Sequence, residues 1–167
     1  LGRAARDTEP VIKQIFVTGD PGASTLERKL YIVRKKIEKE WLESDLEQKE
    51  ACYVVSLSTR TLVYKGMLSS VQLRYYFPDL VNPYFTSGLA LVHSRFSTNT
   101  FPTWSLAQPF RLLGHNGEIN TIRGNRSWME SREGVLHPDL LCPLEELGPV
   151  VQRGMSDSAS LDNVLEF

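Results

Sequence analysis

Three short polar segments carry the residue types that could perform chemistry in this 167-residue chain. The first begins at His93, follows an apolar run and contains Arg95. The planar guanidinium of an arginine can hold a carboxylate through two parallel hydrogen bonds, which a lysine does poorly. Most arginines, however, belong to surface ion pairs or solvated faces. The position of Arg95 alone therefore leaves both interpretations open.

The second segment, residues 114–120, contains the pair Asn116-Gly117. Asn-Gly is the commonest hairpin turn, so the pair by itself indicates no chemistry. Where an apolar run ends at such a turn and a helix follows, a backbone N–H can lie beside the asparagine amide. Two such donors can form an oxyanion hole for an acyl transfer.

The third segment places Asp157 between two serines, just before an apolar helical pattern. An aspartate in that position is most often a helix N-cap. The alternative is a carboxylate that pairs with the ammonium group of a substrate.

Together and in this order, the three segments resemble those of the class II glutamine amidotransferases, a group of N-terminal-nucleophile hydrolases. Residues 91–102 and 114–124 are similar in particular to signature stretches of the glutamate synthase family, as are 63–67 and 85–87. The resemblance covers nearly the whole chain. It implies that residues 1–167 are the central part of a single amidotransferase domain, truncated at both ends.

The resemblance also implies a role for each site residue. Arg95 would bind the α-carboxylate of L-glutamine, and Asp157 would bind its α-ammonium group. The side-chain amide of Asn116 and the backbone N–H of Gly117 would form the oxyanion hole. The pocket would be lined by Phe96, Ser97 and Thr98. A lid-like loop, residues 99–107, would close it.

The nucleophile of this family is an N-terminal cysteine whose own α-amine is the general base. Leu1 stands first here, whereas Cys52 and Cys142 are internal and have no free amine. We therefore expect an excised piece whose nucleophile lies upstream and which hydrolyses no glutamine alone. Two alternatives stay open: another class II amidotransferase, or a non-catalytic glutamine-binding module.

The resemblance further implies that the complete enzyme passes ammonia to a synthase domain of the same polypeptide, which converts 2-oxoglutarate to L-glutamate. That domain would use FMN and an iron–sulfur cluster, with NADPH, NADH or ferredoxin as the electron source and a small reductase subunit as a candidate partner. This chain contains neither a glycine-rich dinucleotide motif nor a cysteine cluster. Its three histidines fit no compact zinc spacing, so we predict no metal or cofactor site here.

Composition agrees with a cytoplasmic globular domain. The formal net charge of −1 disfavours a nucleic-acid surface, and hydrophobic residues make up an ordinary 41%. The apolar runs are too short to span a bilayer, and two cysteines give no disulfide framework.

The elements that must position the site form an α+β fold, by resemblance an incomplete four-layer αββα sandwich. Apolar residues at helical spacing predict a helix over 26–41 behind a Ser24/Glu27 capping box, with its apolar stripe packed on a sheet. Alternation and turn signals predict strands at 51–57, 61–67 and 88–94, the first two forming a hairpin. Shorter helices are predicted over 71–76, from 119 and behind Ser156.

Overall fold

A computed structural model describes residues 1–19, 22–136 and 144–167. Cys142 and His137, considered above, lie outside these ranges. The described residues form six α-helices and two short 3-10 helices, at Lys49–Ala51 and Pro78–Val81. The α-helices are α1 Arg3–Asp7, α2 Ala23–Glu43, α3 Ser70–Tyr76, α4 Ile122–Glu133, α5 Leu144–Leu147 and α6 Asp157–Glu166. None of the helices in the described ranges is both long and apolar enough to cross a membrane.

Two of the predicted helices, over 26–41 and 71–76, are confirmed. The long helix α2 covers the predicted 26–41 segment, but its N-cap is Gly22 rather than Ser24. Glu27 makes no capping box and instead accepts hydrogen bonds from Ser58 and Thr59. The capping box occurs at α3, where Ser69 and Gln72 bond each other's backbone N–H groups.

The buried face of α2 differs from the predicted apolar stripe. Leu30 is buried as expected, but Val33 is 45% exposed and borders a shallow open groove. The buried row instead continues through Arg34 and Glu38, four and eight residues beyond Leu30. Charged residues can occupy this face because partners from distant parts of the chain neutralise them.

Arg34 and Glu38 form a largely buried ionic cluster with three of these partners, Arg111, Asp162 and Glu166. Arg34 Nη1 lies 2.6 Å from Glu38 Oε1, and its Nη2 lies 2.6 Å from Glu166 Oε2. Arg111 Nη1 lies 3.5 Å from Glu166 Oε2 and 3.8 Å from Asp162 Oδ2. Burial lowers the pKa of Arg111 and raises that of Glu166, because it penalises the charged form of each. The cluster therefore joins α2, α6 and the segment that leads into residues 114–120.

The predicted strands at 51–57, 61–67 and 88–94 are wrong for this structure: the described residues contain no strand. Segment 88–94 is not buried either: Leu89 is 85% exposed and Val92 is 80% exposed. β-Propensity reflects how well a side chain fits a pleated, half-buried surface, so it yields a strand only where a neighbouring backbone supplies ladder bonds. No described segment supplies them here.

The expected lid, residues 99–107, is exposed only in its first half. Phe101 is 85% exposed, whereas Trp104 is 3% exposed and donates its indole N–H to the carbonyl of Ala5 at 3.0 Å. Buried Lys65 donates from Nζ to the carbonyl of Ser105 at 2.6 Å. Burial, with Arg111 acting in the same direction, lowers the pKa of Lys65 to about 7. The second half of the loop is thus fixed in the core.

Gly66 makes the burial of Trp104 possible. A Cβ atom at position 66 would lie 2.5 Å from Cζ3 and 2.8 Å from Cε3 of the Trp104 ring. Both distances are far below van der Waals contact, and a buried indole cannot move away without loss of packing. The side-chain-free backbone of Gly66 therefore forms one wall of the Trp104 pocket.

Candidate functional site

The three chemistry-bearing segments meet around the backbone carbonyl of His115. Ser158 Oγ donates to this carbonyl oxygen at 2.9 Å, and Gln108 Nε2 donates to it at 2.5 Å. Ser97 Oγ lies 3.3 Å from the same oxygen and 3.1 Å from Ser158 Oγ. We call Ser97, Gln108, His115 and Ser158 the His115 cluster. It joins the segments that begin at His93, Gly114 and Ser156.

Thr98 holds the peptide unit between Asn116 and Gly117. The carbonyl oxygen of Asn116 accepts from the Thr98 backbone N–H at 3.1 Å and from Thr98 Oγ1 at 2.7 Å. This peptide bond is trans, so its N–H, which belongs to Gly117, points away from its carbonyl. Thr98 therefore sets the direction of the proposed oxyanion donor.

The side chain of Asn116 is exposed and makes no hydrogen bond with the described residues. A hairpin turn does not explain the segment, because no strands flank it and its backbone is bound by side chains. Its amide is consequently available to a ligand, as an oxyanion donor requires.

Asp157 is not the N-cap of α6. That position belongs to Ser156, whose hydroxyl accepts from Ala159 N at 3.2 Å. The Asp157 carboxylate is half-buried, and its Oδ2 accepts from the backbone N–H of Ile119 at 3.1 Å. It thereby ties the start of α6 to the Asn116 segment and leaves Oδ1 for another partner.

Arg95 is exposed, and its guanidinium makes no ion pair with any described carboxylate. Its backbone N–H donates to His93 Nδ1 at 3.2 Å. Phe96 is half-buried. Within the described residues, an ion pair therefore does not account for Arg95, and its binding role stays a prediction.

Sequence reasoning missed Gln108 and Ser158 and placed Ser97 in the pocket wall. All three are buried, and their polar groups are occupied within the His115 cluster. The one available signal for Gln108 was a polar residue between the apolar Ala107 and Phe110. Ser158 had no signal apart from its proximity to Asp157.

Cys52 does not belong to this site. It lies in an exposed position after the first 3-10 helix, and its backbone N–H donates to Lys49 O at 3.1 Å. Its nitrogen is an amide, so it cannot act as the free amine that an N-terminal nucleophile uses.

Comparison with known proteins defines the class. The family model for class-II glutamine amidotransferases matches residues 1–167, and the chain belongs to that family. Its relatives include the large chain of the NADPH glutamate synthase of Azospirillum brasilense, 47% identical over 99% of this chain and 11% of the relative. The NADH glutamate synthase of Saccharomyces cerevisiae is 48% identical over the whole chain and 8% of its own length. Ferredoxin-dependent glutamate synthase 2 of Synechocystis is 48% identical over the whole chain and 10% of its own length.

These comparisons confirm the family that the three segments predicted. The chain spans about a tenth of the length of the curated relatives it matches. These relatives differ by name in electron donor, and all are named glutamate synthases.

Proposed function

We propose that this chain is the glutamine-binding and oxyanion-hole part of the glutaminase domain of a glutamate synthase. Within the full-length enzyme it is the central portion of a four-layer αββα domain. The observation that carries the proposal is the convergence of all three predicted segments on His115, with the Asn116 amide exposed beside them. Relatives that match over the whole chain support the choice of glutamate synthase.

The proposed residues match the groups of free glutamine. Its zwitterionic head needs one cation and one anion, which Arg95 and Asp157 supply. When a thiolate attacks the side-chain amide, charge develops on the carbonyl oxygen, and the donors of Asn116 and Gly117 stabilise it. The protonated α-amine of the N-terminal cysteine would give a proton to the departing nitrogen, so that collapse of this tetrahedral intermediate expels ammonia and leaves a γ-glutamyl thioester, which water hydrolyses. By resemblance, the attacking thiolate of the full-length enzyme would be that of its N-terminal cysteine.

The redox groups of a glutamate synthase form a further part of this proposal. The described residues hold no group of three or more His, Cys, Asp or Glu side chains that could bind a metal ion. The resemblance to glutamate synthases supports the proposal that FMN and the iron–sulfur cluster are bound by the synthase part of the full-length enzyme, which uses the released ammonia to convert 2-oxoglutarate to glutamate.

The first test is Arg95→Lys in the full-length enzyme. We expect kcat/KM for glutamine to fall about tenfold to a hundredfold, because a point charge cannot replace two charge-assisted hydrogen bonds. Ammonia-dependent glutamate synthesis needs no head-group clamp and should stay unchanged. Arg28→Lys, on the exposed face of α2, is the matched control. Equal loss of glutamine- and ammonia-dependent activity would assign Arg95 a structural role.

Asp157→Asn tests the other half of the clamp. An asparagine keeps an oxygen that can accept from Ile119 N, so the local structure should survive while the negative charge is lost. We expect the glutamine KM to rise about tenfold with little change in melting temperature, since an ion-paired hydrogen bond to the ammonium group disappears. An unchanged KM would leave Asp157 only the role of holding Ile119.

A further inference from the structure

We propose that Gln108 is a positioning residue for the oxyanion hole, acting through His115 on the orientation of Asn116. The inference rests on the proposed function, because it concerns how the oxyanion donors are held. The hydrogen bonds of Gln108 run to His115 and Ser97 rather than to the proposed donors. Its amide is buried among the segments that carry them.

Gln108 bonds both backbone polar groups of one residue. The N–H of His115 donates to Gln108 Oε1 at 2.6 Å, and Gln108 Nε2 donates to His115 O at 2.5 Å. Gln108 Nε2 also donates its second proton to Ser97 Oγ, which lies 3.1 Å from this nitrogen. Paired residues in an antiparallel ladder exchange the same two hydrogen bonds through their backbones. The side chain of Gln108 therefore replaces a strand partner at a place where the described residues have no strand.

This arrangement fixes the peptide plane on the N-terminal side of Asn116. His115 C=O and Asn116 N–H belong to one planar unit, so holding the carbonyl holds the whole plane. Thr98 holds the next plane through the carbonyl of Asn116. Only the φ and ψ angles of Asn116 connect these two planes, and both angles are determined once the planes are fixed. The direction of the Asn116 side chain from its Cα follows.

Two serines also bond the His115 carbonyl, but neither reaches the His115 N–H. Gln108 is the cluster member that restrains both peptide planes of His115 at once. Loss of the amide should therefore tilt the segment and displace the donors, even where the serines keep the carbonyl bound. Displacements of about 1 Å in a catalytic group can cost about a hundredfold in rate.

The test is Gln108→Glu in the full-length enzyme, with Gln48→Glu at an exposed, distant position as control. Glutamate keeps the acceptor for His115 N but, when ionised, places an oxygen against His115 O. We expect kcat for glutamine at pH 8 to fall about tenfold to a hundredfold, with KM within about twofold and ammonia-dependent synthesis unchanged. Acidification should shrink the loss relative to wild type, because burial favours the protonated carboxyl, which donates like the amide.

Gln108→Met is the second variant, and it should lose turnover at every pH because it can neither accept nor donate. Turnover is divided by the concentration of folded enzyme, and circular dichroism measures the folded fraction. Wild-type kcat in Gln108→Glu, a change confined to KM, or a pH-independent loss with equal loss of ammonia-dependent synthesis would each overturn the positioning role. A wild-type enzyme that releases no ammonia from glutamine would instead overturn the proposed function, and this inference with it.

Discussion

Asn116→Ala in the full-length enzyme is expected to lower kcat for glutamine hydrolysis about a hundredfold to a thousandfold. Removal of one oxyanion donor typically costs about 3–4 kcal/mol of transition-state stabilisation. The glutamine KM should move little, because the ground-state carbonyl is not yet charged and bonds the donor weakly. The measurement is steady-state ammonia release, with kcat and KM determined separately.

In this structure, the expected effect of Asn116→Ala on turnover can be separated from an effect on stability. The bonds that hold Asn116 in place run to its backbone carbonyl, which alanine retains. Its exposed side chain has no hydrogen-bond partner among the described residues, so the melting temperature should stay within a degree or two of wild type, as for a surface substitution. Asn125→Ala, on the exposed side of α4, is the control. A large drop in melting temperature with normal turnover in the folded fraction would remove Asn116 from the catalytic residues.

The largest effect on stability is expected from Asp162→Ala. The carboxylate is 1% exposed and accepts from the backbone N–H groups of Leu112 at 2.7 Å, and of Arg111 and Leu113 at 3.2 Å each. Alanine removes these acceptors and leaves the buried Arg111 with one carboxylate fewer. Removing one partner from a buried ionic group typically costs about 3–5 kcal/mol.

The loss should appear as a lower urea midpoint for glutaminase activity in the full-length enzyme. Hydrogen exchange of the 111–113 amides should accelerate as well, since their acceptors are gone. Asp162→Asn retains an acceptor oxygen and should cost less, and Asp45→Ala, at an exposed position, should cost nothing measurable. An unchanged midpoint for Asp162→Ala would show that the carboxylate does not hold the 111–113 segment.

Local signals predicted helices but not extended segments. The apolar spacing over 26–41 is enough to define a long helix, whereas the predicted Ser24/Glu27 capping box is wrong, because the N-cap of that helix is Gly22. The resemblance to a family placed the three polar segments in one site, and bonds among Ser97, His115 and Ser158 join these segments in the structure. The roles of Arg95, Asn116 and Asp157 stay predictions.

The rest depends on partners that are distant in sequence. A row of charges such as Arg34 and Glu38 usually marks a solvated helix face. Distant partners allow it to be buried here, among them Arg111 and Glu166, at least 70 residues away. The apolar run at 88–94 has strand propensity but lacks a neighbouring backbone with which to pair. The sequence could not place Gln108 in the site, because its role depends on hydrogen bonds to the backbone of His115. The spacing of residues along the chain does not reveal those bonds.

The close approach of Gly66 to the Trp104 ring makes the side-chain size allowed at one position depend on that at the other. Any side chain at position 66 would occupy the volume that the indole fills, so it is tolerated only when position 104 carries a smaller residue. Such a double change would also remove the indole N–H that bonds Ala5 and would loosen the anchored half of the 99–107 loop. The two sites should therefore vary together among homologues, as a glycine with a tryptophan or as a larger residue with a smaller one.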